Sequence, residues 1–271
     1  MRTLLAIHVV AAFLVLAPAA SPAPALPDSI AGIGDSITRA TDVCCWYGDH
    51  PSNSWSTGGS AFDGVQSHYE RIRALHPAIA GRNYNDARAG ARMRDAVAQA
   101  QTAVTQQARY VTILMGANDV CTSSPSTMTS VDDFRAQFSA AMSILASGLP
   151  AGSHVFVSSI PNVYRLWQVL RTNAAAQVVW AVAGICQSML SPFRTEQERQ
   201  AVLAREQAFN QVLADVCAVQ YAAICRFDDL AVFNYPFAAG HVSKLDYFHP
   251  NLAGQATLAS ITWQRSWWAT P

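Results

Sequence analysis

The sequence carries little charge, and the charge that it has is balanced. Only 13% of its 271 residues are Asp, Glu, Lys or Arg, and the 18 basic residues cancel the 18 acidic ones. Lys244 is the single lysine, and no run of like charge occurs. Proteins that bind nucleic acids by neutralising phosphates need a basic surface, so we predict no nucleic-acid partner. Apolar residues make up 51% of the chain, which supports a large core and excludes an intrinsically disordered protein.

The N-terminal region lacks an apolar run long enough to cross a membrane. Residues 4–17 are apolar apart from one histidine, which falls short of the ~20 residues that a spanning helix requires. Arg2 precedes this run, and small-residue A-x-A sites follow it at 17–19 and 23–25. This layout is typical of a secretory signal peptide. We therefore predict a signal peptide over residues 1–25, a secreted or cell-envelope location, and one domain over residues 26–271.

Several motifs of metal and nucleotide sites are missing. There is no C-x-x-C pair and no histidine at zinc-finger spacing from a cysteine pair, which argues against structural zinc. The H-E-x-x-H motif of zinc hydrolases and the G-x-S-x-G elbow of α/β-hydrolases are absent, as are phosphate-loop and dinucleotide fingerprints. We therefore predict that the protein holds no metal.

Six cysteines remain to be explained. In an exported protein an even number predicts disulfides, and six cysteines allow 15 pairings. Cys217 lies late in a predicted helix and Cys225 in the strand after it, so we expect these two to pair across a short turn. Cys121 with Cys186 is the second expected bridge. Because a bridge between neighbours would be strained, we expect at least one member of the adjacent pair Cys44-Cys45 to pair elsewhere.

Short apolar runs alternate with helical patterns along the rest of the chain. Runs bounded by turn signals suit strands that are buried on both faces, and we predict such strands at residues 29–33, 79–85, 110–115, 154–160 and 222–227. Helical patterns lie at residues 62–75, 93–105, 131–149, 195–219 and 252–267. This alternation predicts a single α/β domain with a parallel sheet.

The ends of the predicted strands are where a functional site is expected. Ligands of open parallel sheets bind at the carboxyl ends of the strands. Ser36, Asn118 and the segment after Asn85 each follow a predicted strand. We therefore expect these three turns to converge.

Ser36 and the end of the chain together can form a nucleophile and its base. A serine after the first strand can present its hydroxyl at a helix N-terminus, which favours developing negative charge; a simple N-cap is the alternative. Near the chain end, Asp246 stands three residues before His249. Asp246 can accept a hydrogen bond from Nδ1–H of His249, whose Nε2 is then free to take the proton of Ser36. Five other histidines lack an acidic residue at that spacing and are interpreted as structural: His50, His68, His76, His154 and His241.

Two further residues can stabilise an oxyanion. The amide of Asn118, in the G-A-N-D segment, can donate to such an oxygen, and one donor of this kind is typically worth about 100- to 1000-fold in rate. A turn-forming asparagine is the alternative. Gly90 has no side chain to obstruct its backbone N–H, so a ligand can approach it closely.

These four blocks, in this order, resemble the GDSL or SGNH hydrolase superfamily over residues 30–255. The residues that give the superfamily its name fall at Ser36, Gly90, Asn118 and His249. The resemblance implies a flavodoxin-like three-layer α/β/α sandwich with a five-stranded parallel sheet. It also implies ester hydrolysis without a cofactor, with Asp246 as the acid of the triad and with Ser36, Gly90 and Asn118 as the oxyanion hole. The glycine that the family commonly has four residues after the serine is Ala40 here, a departure that affects the loop beside the nucleophile.

Three short strings are similar to the phospholipase B-like branch of that superfamily. They are S-W-S-x-G-G at 54–59, G-x-N-D-x-C at 116–121 and D-x-F-H-P at 246–250. This similarity implies lipid or fatty-acyl ester substrates and transient contact with a lipid surface. Two other functions stay open at this point: a carbohydrate O-deacetylase on the same triad, which a short polar groove would favour, and a non-catalytic exported binding protein.

Residues 163–193 are unusually apolar for a connection between strands. They contain Trp167, Trp180 and Phe193. Such a segment can line an acyl-chain groove or form a lid at a lipid surface. It can equally be a pair of buried helices, which the predominance of apolar helices in protein cores favours.

Overall fold

The computed structural model describes residues 23–269. Residues 1–22, most of the predicted signal peptide, lie outside the described residues. Five strands form one sheet in the order β2-β1-β3-β4-β5, and every pair is parallel. The strands are β1 Ile30–Gly34, β2 Asn83–Asn85, β3 Tyr110–Leu114, β4 His154–Val157 and β5 Cys225–Phe227. The predicted α/β fold with a five-stranded parallel sheet is confirmed.

Helices connect the strands on both faces of the sheet. Those of the described residues are α1 His68–Leu75, α2 Ala96–Thr105, α3 Ala117–Val120, α4 Val131–Gly148, α5 Val163–Leu170, α6 Ala174–Val182, α7 Gln187–Leu190, α8 Glu196–Gln220, α9 Ala231–Asn234 and α10 Leu252–Gln264. Short 3-10 turns lie at Pro51–Asn53, Pro77–Ile79, Met93–Asp95, Pro125–Thr127 and Ala239–His241.

The side chains of the central strands alternate between two apolar layers. In β3, Val111 and Ile113 point to one face, where the sheet packs with residues of α2, α4 and α8. Tyr110 and Leu114 belong to clusters on the other face, which include residues of α1 and α10. Because successive side chains of a strand point to opposite faces, a continuous apolar run serves both layers. The result is the expected three-layer sandwich.

Six predicted elements are shorter than expected by three residues or more. Four of them lose three residues at one end and are observed as α2 Ala96–Thr105, β4 His154–Val157, β5 Cys225–Phe227 and α10 Leu252–Gln264. The other two, α1 and β2, are shorter for identifiable local reasons. Helix α1 begins at His68 and not at residue 62, because Ser67 caps it in a capping box with Glu70 and Gly64 before it has a φ of +80°. Residues 79–82 are not part of β2, since Pro77 starts a 3-10 turn through Ile79. Gly64 is incompatible with a regular helix in the first segment, while the turn that Pro77 begins and Gly81, with a φ of +76°, are incompatible with an extended strand in the second.

Two predicted disulfides are confirmed and one expectation about cysteines is wrong. Cys121 is bonded to Cys186, and Cys217 to Cys225. Cys44 and Cys45 are both free, with their Sγ atoms 2.7 Å apart. Neither therefore pairs elsewhere, because the other four cysteines are bonded to one another.

Membrane-spanning helices are not part of the described structure. No helix within residues 23–269 is both long enough and apolar enough to cross a bilayer.

Candidate active site

Ser36 lies in the turn directly after β1, at the carboxyl end of the sheet. The turn is closed by the Arg39 N–H, which donates to the Asp35 carbonyl, and by the Thr41 N–H, which donates to the Ser36 carbonyl. The expected helix N-terminus is not formed, since residues 36–40 make turns only. Ala40 has a φ of +52°, a left-handed conformation that favours glycine. This conformation gives a physical reason why glycine suits that position.

Asp246 and His249 meet Ser36 as the D-x-x-H spacing predicts. The Ser36 hydroxyl and Nε2 of His249 are 2.7 Å apart, and Nδ1 of His249 is hydrogen-bonded to Asp246. The other carboxylate oxygen of Asp246 accepts the backbone N–H groups of Phe248 and His249. Burial opposes ionisation of Asp246, but the hydrogen bonds and charge of His249 outweigh it and hold its pKa below the usual value. This pairing keeps a proton on Nδ1 and leaves Nε2 as the acceptor for Ser36.

Gly90 and Asn118 approach the same end of the sheet from the turns after β2 and β3. Gly90 has a φ of +76°, and a Cβ placed on it would meet nothing within 4 Å. Its backbone therefore faces open space in a conformation that suits glycine. Asn118 is the second residue of the short helix α3, which follows Gly116, and its Nδ2 donates to the Ala91 carbonyl over 3.0 Å. That bond fixes the amide between the two loops and leaves its second hydrogen for a ligand.

Asp35 is a buried carboxyl next to Ser36 that sequence reasoning did not single out. One of its oxygens accepts the Ile37 N–H at 2.9 Å, while the other is buried without a hydrogen-bond partner in the described structure. Desolvation raises the pKa of Asp35 to about 7, against the opposing effect of the Ile37 N–H and the charge of His249. An acidic residue directly after a fully buried strand was the signal that could have revealed it.

Asp42 is a second residue that sequence reasoning missed. A carboxylate oxygen of Asp42, one of Asp246 and a ring nitrogen of His249 lie within 4.8 Å of one another. Asp42 is held there because its carboxylate accepts the Gly48 N–H and its carbonyl accepts the Ser243 hydroxyl at 2.5 Å. Three such donors could contact a cation, but Asp246 and His249 already bind each other. We assign no metal to this group.

An apolar cavity adjoins His249. Its lining includes Phe248, His249 and Pro250, which follow Asp246 in the same loop, and Leu166 and Val169 from α5. The polar residues among its lining are Asn162, His241 and His249. A cavity of this composition suits a hydrocarbon group placed next to the reacting atoms.

Helix α5 forms one wall of the cavity and is anchored at its first turn. Asn162 caps it by accepting the Arg165 N–H. The Val163 N–H donates to both carboxyl oxygens of Glu206, at 3.2 and 3.3 Å. Burial raises the pKa of Glu206 well above its usual value. The wall is therefore tied to α8, in the core, and not only to surface loops.

The fold and the grouped Ser, His and Asp define a class, the ester hydrolases built on an open parallel sheet. The model of the family described as GDSL-like Lipase/Acylhydrolase matches residues 30–261, and the chain belongs to this family. It is therefore a carboxylic ester hydrolase, as the resemblance implied.

Solved structures agree with this fold. An extracellular lipase from Streptomyces rimosus is 17% identical with a TM-score of 0.52, over 88% of this chain and 99% of that one. An alpha/beta hydrolase from the metagenome of Lake Arreo is also 17% identical, with a TM-score of 0.54 over 86% and 92% of the two chains. At this identity the similarity concerns the fold alone. Among curated proteins, no sequence matches the chain.

Proposed function

We propose that the protein is a secreted serine esterase that hydrolyses fatty-acyl or lipid esters through an acyl-enzyme on Ser36. The observation that carries this proposal is the apolar cavity against His249, whose imidazole is hydrogen-bonded to Ser36. An acyl chain in that cavity would place its carbonyl carbon beside the Ser36 oxygen. Asp246 and His249 complete the proposed triad.

The first chemical step is attack of Ser36 on the ester carbonyl. The Ser36 Oγ–H donates to Nε2 of His249 over 2.7 Å, so the imidazole takes this proton as the C–O bond forms. The resulting imidazolium is stabilised by Asp246, which is hydrogen-bonded to Nδ1. His249 then gives the proton to the leaving alcohol, and the tetrahedral intermediate collapses to the acyl-enzyme.

The negative charge of the tetrahedral intermediate needs donors that are already in place. We assign this role to the backbone N–H groups of Ser36 and Gly90 and to the amide of Asn118. Within residues 23–269, neither of these two N–H groups has a hydrogen-bond acceptor. They are therefore available to an oxyanion without breaking an existing bond.

In the second half of the reaction, water hydrolyses the acyl-enzyme, and His249 again acts first as base and then as acid. His249 takes a proton from a water molecule, the hydroxide attacks the acyl carbonyl, and Ser36 leaves with the proton that His249 returns. The products are a carboxylic acid and the free enzyme. No step requires a cofactor.

The cavity lining separates the two candidate substrate classes. A carbohydrate O-deacetylase would be favoured by a short polar groove, because a sugar presents hydroxyl groups for hydrogen bonding. The lining here is mainly aliphatic and aromatic, with Leu166, Val169 and Phe237 among its residues. This composition supports an acyl chain longer than acetyl.

Export is the part of the proposal that rests on the N-terminal sequence and the cysteines. Disulfides persist in oxidising compartments, and the described residues contain two. The Streptomyces rimosus protein of similar fold is an extracellular lipase. N-terminal sequencing of the exported protein tests this point, and a first residue of Met1 would contradict it.

The deciding experiment measures hydrolysis of p-nitrophenyl acetate, butyrate and palmitate by the purified chain. Ser36→Ala and His249→Ala should each lower kcat by about 10⁴-fold or more, as losses of triad residues do elsewhere, while the exposed-site control Ser126→Ala should keep full activity. Covalent labelling of the wild type, but not of Ser36→Ala, by a fluorophosphonate would exclude the binding-protein alternative. Full activity in His249→Ala would overturn the triad.

A separate variant tests whether the apolar cavity binds the acyl chain. Val169→Trp should narrow the cavity and reduce kcat/KM for the palmitate ester more than for the acetate ester. Val219→Trp, at an exposed position on α8, is the control. Preference for acetate in the wild type would favour the deacetylase alternative.

A further inference from the structure

Cys44 and Cys45 place two free thiols side by side in a surface loop. They are neighbours in the chain, and their Sγ atoms are 2.7 Å apart, only about 0.7 Å more than the ~2.0 Å of a disulfide bond. The other four cysteines are bonded to one another. A bond between the two thiols therefore needs no distant segment to move and competes with no other pairing.

The two thiols differ in how well solvent reaches them. Cys45 is exposed, and Cys44 is partly buried. The aromatic residues that follow them, Trp46 and Tyr47, are 67% and 69% exposed. By contrast, three of the four cysteines in the two existing disulfides are buried. A dissolved thiol or disulfide therefore reaches Cys45 directly, while the existing bridges are shielded.

The protonation of the pair decides which thiol reacts first. Desolvation and the hydrogen bond from the Cys45 thiol raise the pKa of Cys44 to about 11, so this thiol keeps its proton at neutral pH. The thiolate is the nucleophile in thiol–disulfide exchange, and we therefore expect Cys45 to attack first. Once its sulfur is part of a mixed disulfide, Cys45 no longer hydrogen-bonds to Cys44 as a thiol or repels its thiolate. The Cys44 thiol then becomes easier to ionise.

We propose that Cys44 and Cys45 are a redox-active pair that forms a reversible vicinal disulfide, with a small-molecule disulfide such as oxidised glutathione as the oxidant. The Cys45 thiolate attacks one sulfur of oxidised glutathione, which breaks its S–S bond and releases one glutathione thiolate. The Cys44 thiolate then attacks the Cys45 sulfur, forms the vicinal bond and releases the second glutathione. Two protein thiols are oxidised, one glutathione disulfide is reduced, and the two thiol protons end on the two glutathione molecules.

Two properties of the pair make this disulfide easier to reduce than the other two. A bridge between neighbouring cysteines closes a small, strained ring, and Cys45 is exposed. Strained or exposed disulfides have the more oxidising reduction potentials. In an oxidising compartment, where disulfides persist, we expect the bond to be closed. At a more reducing potential it should open before Cys217–Cys225.

The pair lies in a loop that also holds Asp42 in place. The Asp42 N–H donates to the Gly48 carbonyl over 2.8 Å, and the Gly48 N–H donates to the Asp42 carboxylate over 2.6 Å, so the loop is closed on either side of the cysteines. The Tyr47 hydroxyl donates to the carbonyl of Leu245 over 3.0 Å, directly before the proposed triad acid. A covalent ring inside this loop restricts its backbone. We therefore expect opening of the ring to loosen Asp42 from His249.

The test reads the state of each cysteine in the full chain recovered after export. The protein is denatured in N-ethylmaleimide, which blocks free thiols, and is then digested with trypsin. Cleavage after Arg39 and Arg71 yields peptide 40–71, whose only cysteines are Cys44 and Cys45. We expect this peptide to carry no maleimide and to be lighter than the dithiol form by two hydrogen atoms.

Peptide 206–226 is the matched control, because it contains the Cys217–Cys225 disulfide within a single tryptic peptide. In glutathione buffers of increasing reducing strength, peptide 40–71 should take up two maleimides at a potential at which peptide 206–226 stays closed. Addition of oxidised glutathione should close peptide 40–71 again. The Cys45→Ser variant should carry one maleimide in this peptide, and peptide 206–226 should be unchanged.

Three outcomes would overturn the redox-active pair. The first is two maleimides on peptide 40–71 of the exported chain while peptide 206–226 is closed. The second is a bond from either cysteine to glutathione or to a second chain that never rearranges to the vicinal bond. The third is reduction of both peptides at the same potential.

The effect on the loop is read from ester hydrolysis, and this part rests on the proposed function. In a buffer that opens only peptide 40–71, kcat/KM for p-nitrophenyl butyrate should fall by at most about fivefold, the full effect of removing the charge of Asp42 from His249. The double variant Cys44→Ser/Cys45→Ser should not respond to the buffer, and neither should Asp42→Asn. An unchanged rate in the wild type would overturn the effect on Asp42. Absence of any hydrolysis by the wild type would contradict the proposed function and leave the peptide masses to decide the disulfide.

Discussion

Asp35 is a buried carboxyl beside Ser36. Its burial should make the free energy of unfolding depend on pH. Its pKa is raised from 3.8 to about 7, mainly by desolvation. Between these values the folded protein keeps the proton and the unfolded chain releases it. The free energy of unfolding should therefore fall as the pH rises from about 4 to about 7.

Asp35→Asn removes this dependence. The variant keeps an acceptor for the Ile37 N–H but cannot ionise, so its stability gain over the wild type should grow with pH, up to about 4 kcal/mol, since one pKa unit corresponds to about 1.4 kcal/mol. Urea unfolding at pH 4 and pH 8 measures the free energy of unfolding of the wild type and of the variant. A gain of the same size at the two pH values would contradict the burial argument.

Asp42 should assist the triad by its charge. At a separation of up to 4.8 Å from the His249 ring nitrogen, a unit charge in water contributes roughly 1 kcal/mol to stabilising an imidazolium. Asp42→Asn is therefore expected to lower kcat/KM for p-nitrophenyl butyrate about fivefold, with a smaller effect at high salt. Asp49→Asn, in the same loop but paired with Arg39, is the matched control and should change the rate little. Equal losses in both variants would mean that only the loop structure matters.

At the residue scale, the members of the proposed triad could be picked from the sequence, whereas the residues around them could not. Asp246 and His249 are three residues apart, so one turn of chain brings their side chains together. Asp42 reaches the same point from about 200 residues away, and nothing in its neighbours along the chain indicates this. Ser36 was predicted from its place after β1, although the turn that holds it is not the helix N-terminus that we expected.

At the scale of elements, the two disulfides should differ in how much they stabilise the fold. Cys121–Cys186 closes a separation of 65 residues and Cys217–Cys225 one of 8. Loop-closure entropy alone gives about 4 kcal/mol for the first and about 2.5 kcal/mol for the second. To test which disulfide stabilises the fold more, each cysteine pair is replaced by serines and the free energy of unfolding is measured in urea. A larger loss from the Cys217/Cys225 pair would show that native-state contacts outweigh chain entropy.

Helices with a clear helical period of apolar residues were predicted well. Helix α1, whose start is set by a capping residue, was not. Helix α4, predicted at 131–149, is observed at Val131–Gly148, and α8, predicted at 195–219, is observed at Glu196–Gln220. The error at α1 came from Gly64 and the Ser67 cap. Residues 163–193 are not a fully buried helix pair, because residues of α5 line the apolar cavity and α6 is buried on one side and exposed on the other.

At the scale of the whole molecule, the two ends of the described chain support each other. The Trp268 indole N–H donates to the Pro24 carbonyl over 2.9 Å, and Leu26 packs against the cluster that contains Trp268. Of the two A-x-A sites, cleavage after residue 19 would keep this contact and cleavage after residue 25 would remove Pro24.

A chain beginning at Leu26 should therefore be less stable than one beginning at Ala20. The expected loss is about 1 kcal/mol, the usual net contribution of a hydrogen bond. Trp268→Phe in both backgrounds completes a double-mutant cycle, measured by thermal unfolding. If Trp268→Phe costs the same in the two backgrounds, the contact with Pro24 contributes nothing.

The sequence by itself determined the sheet, the family and the residues of the proposed triad, because each depends on short-range information. Buried strands appear as apolar runs between turn signals, and Asp246 and His249 are neighbours on one turn. Only the tertiary structure decided that Asp35 is buried, that Asp42 faces His249, that an apolar cavity adjoins His249 and that one side of α6 is exposed. These properties depend on which distant segments pack together and which sides they cover. Composition cannot distinguish an apolar helix side in the core from the same side in water.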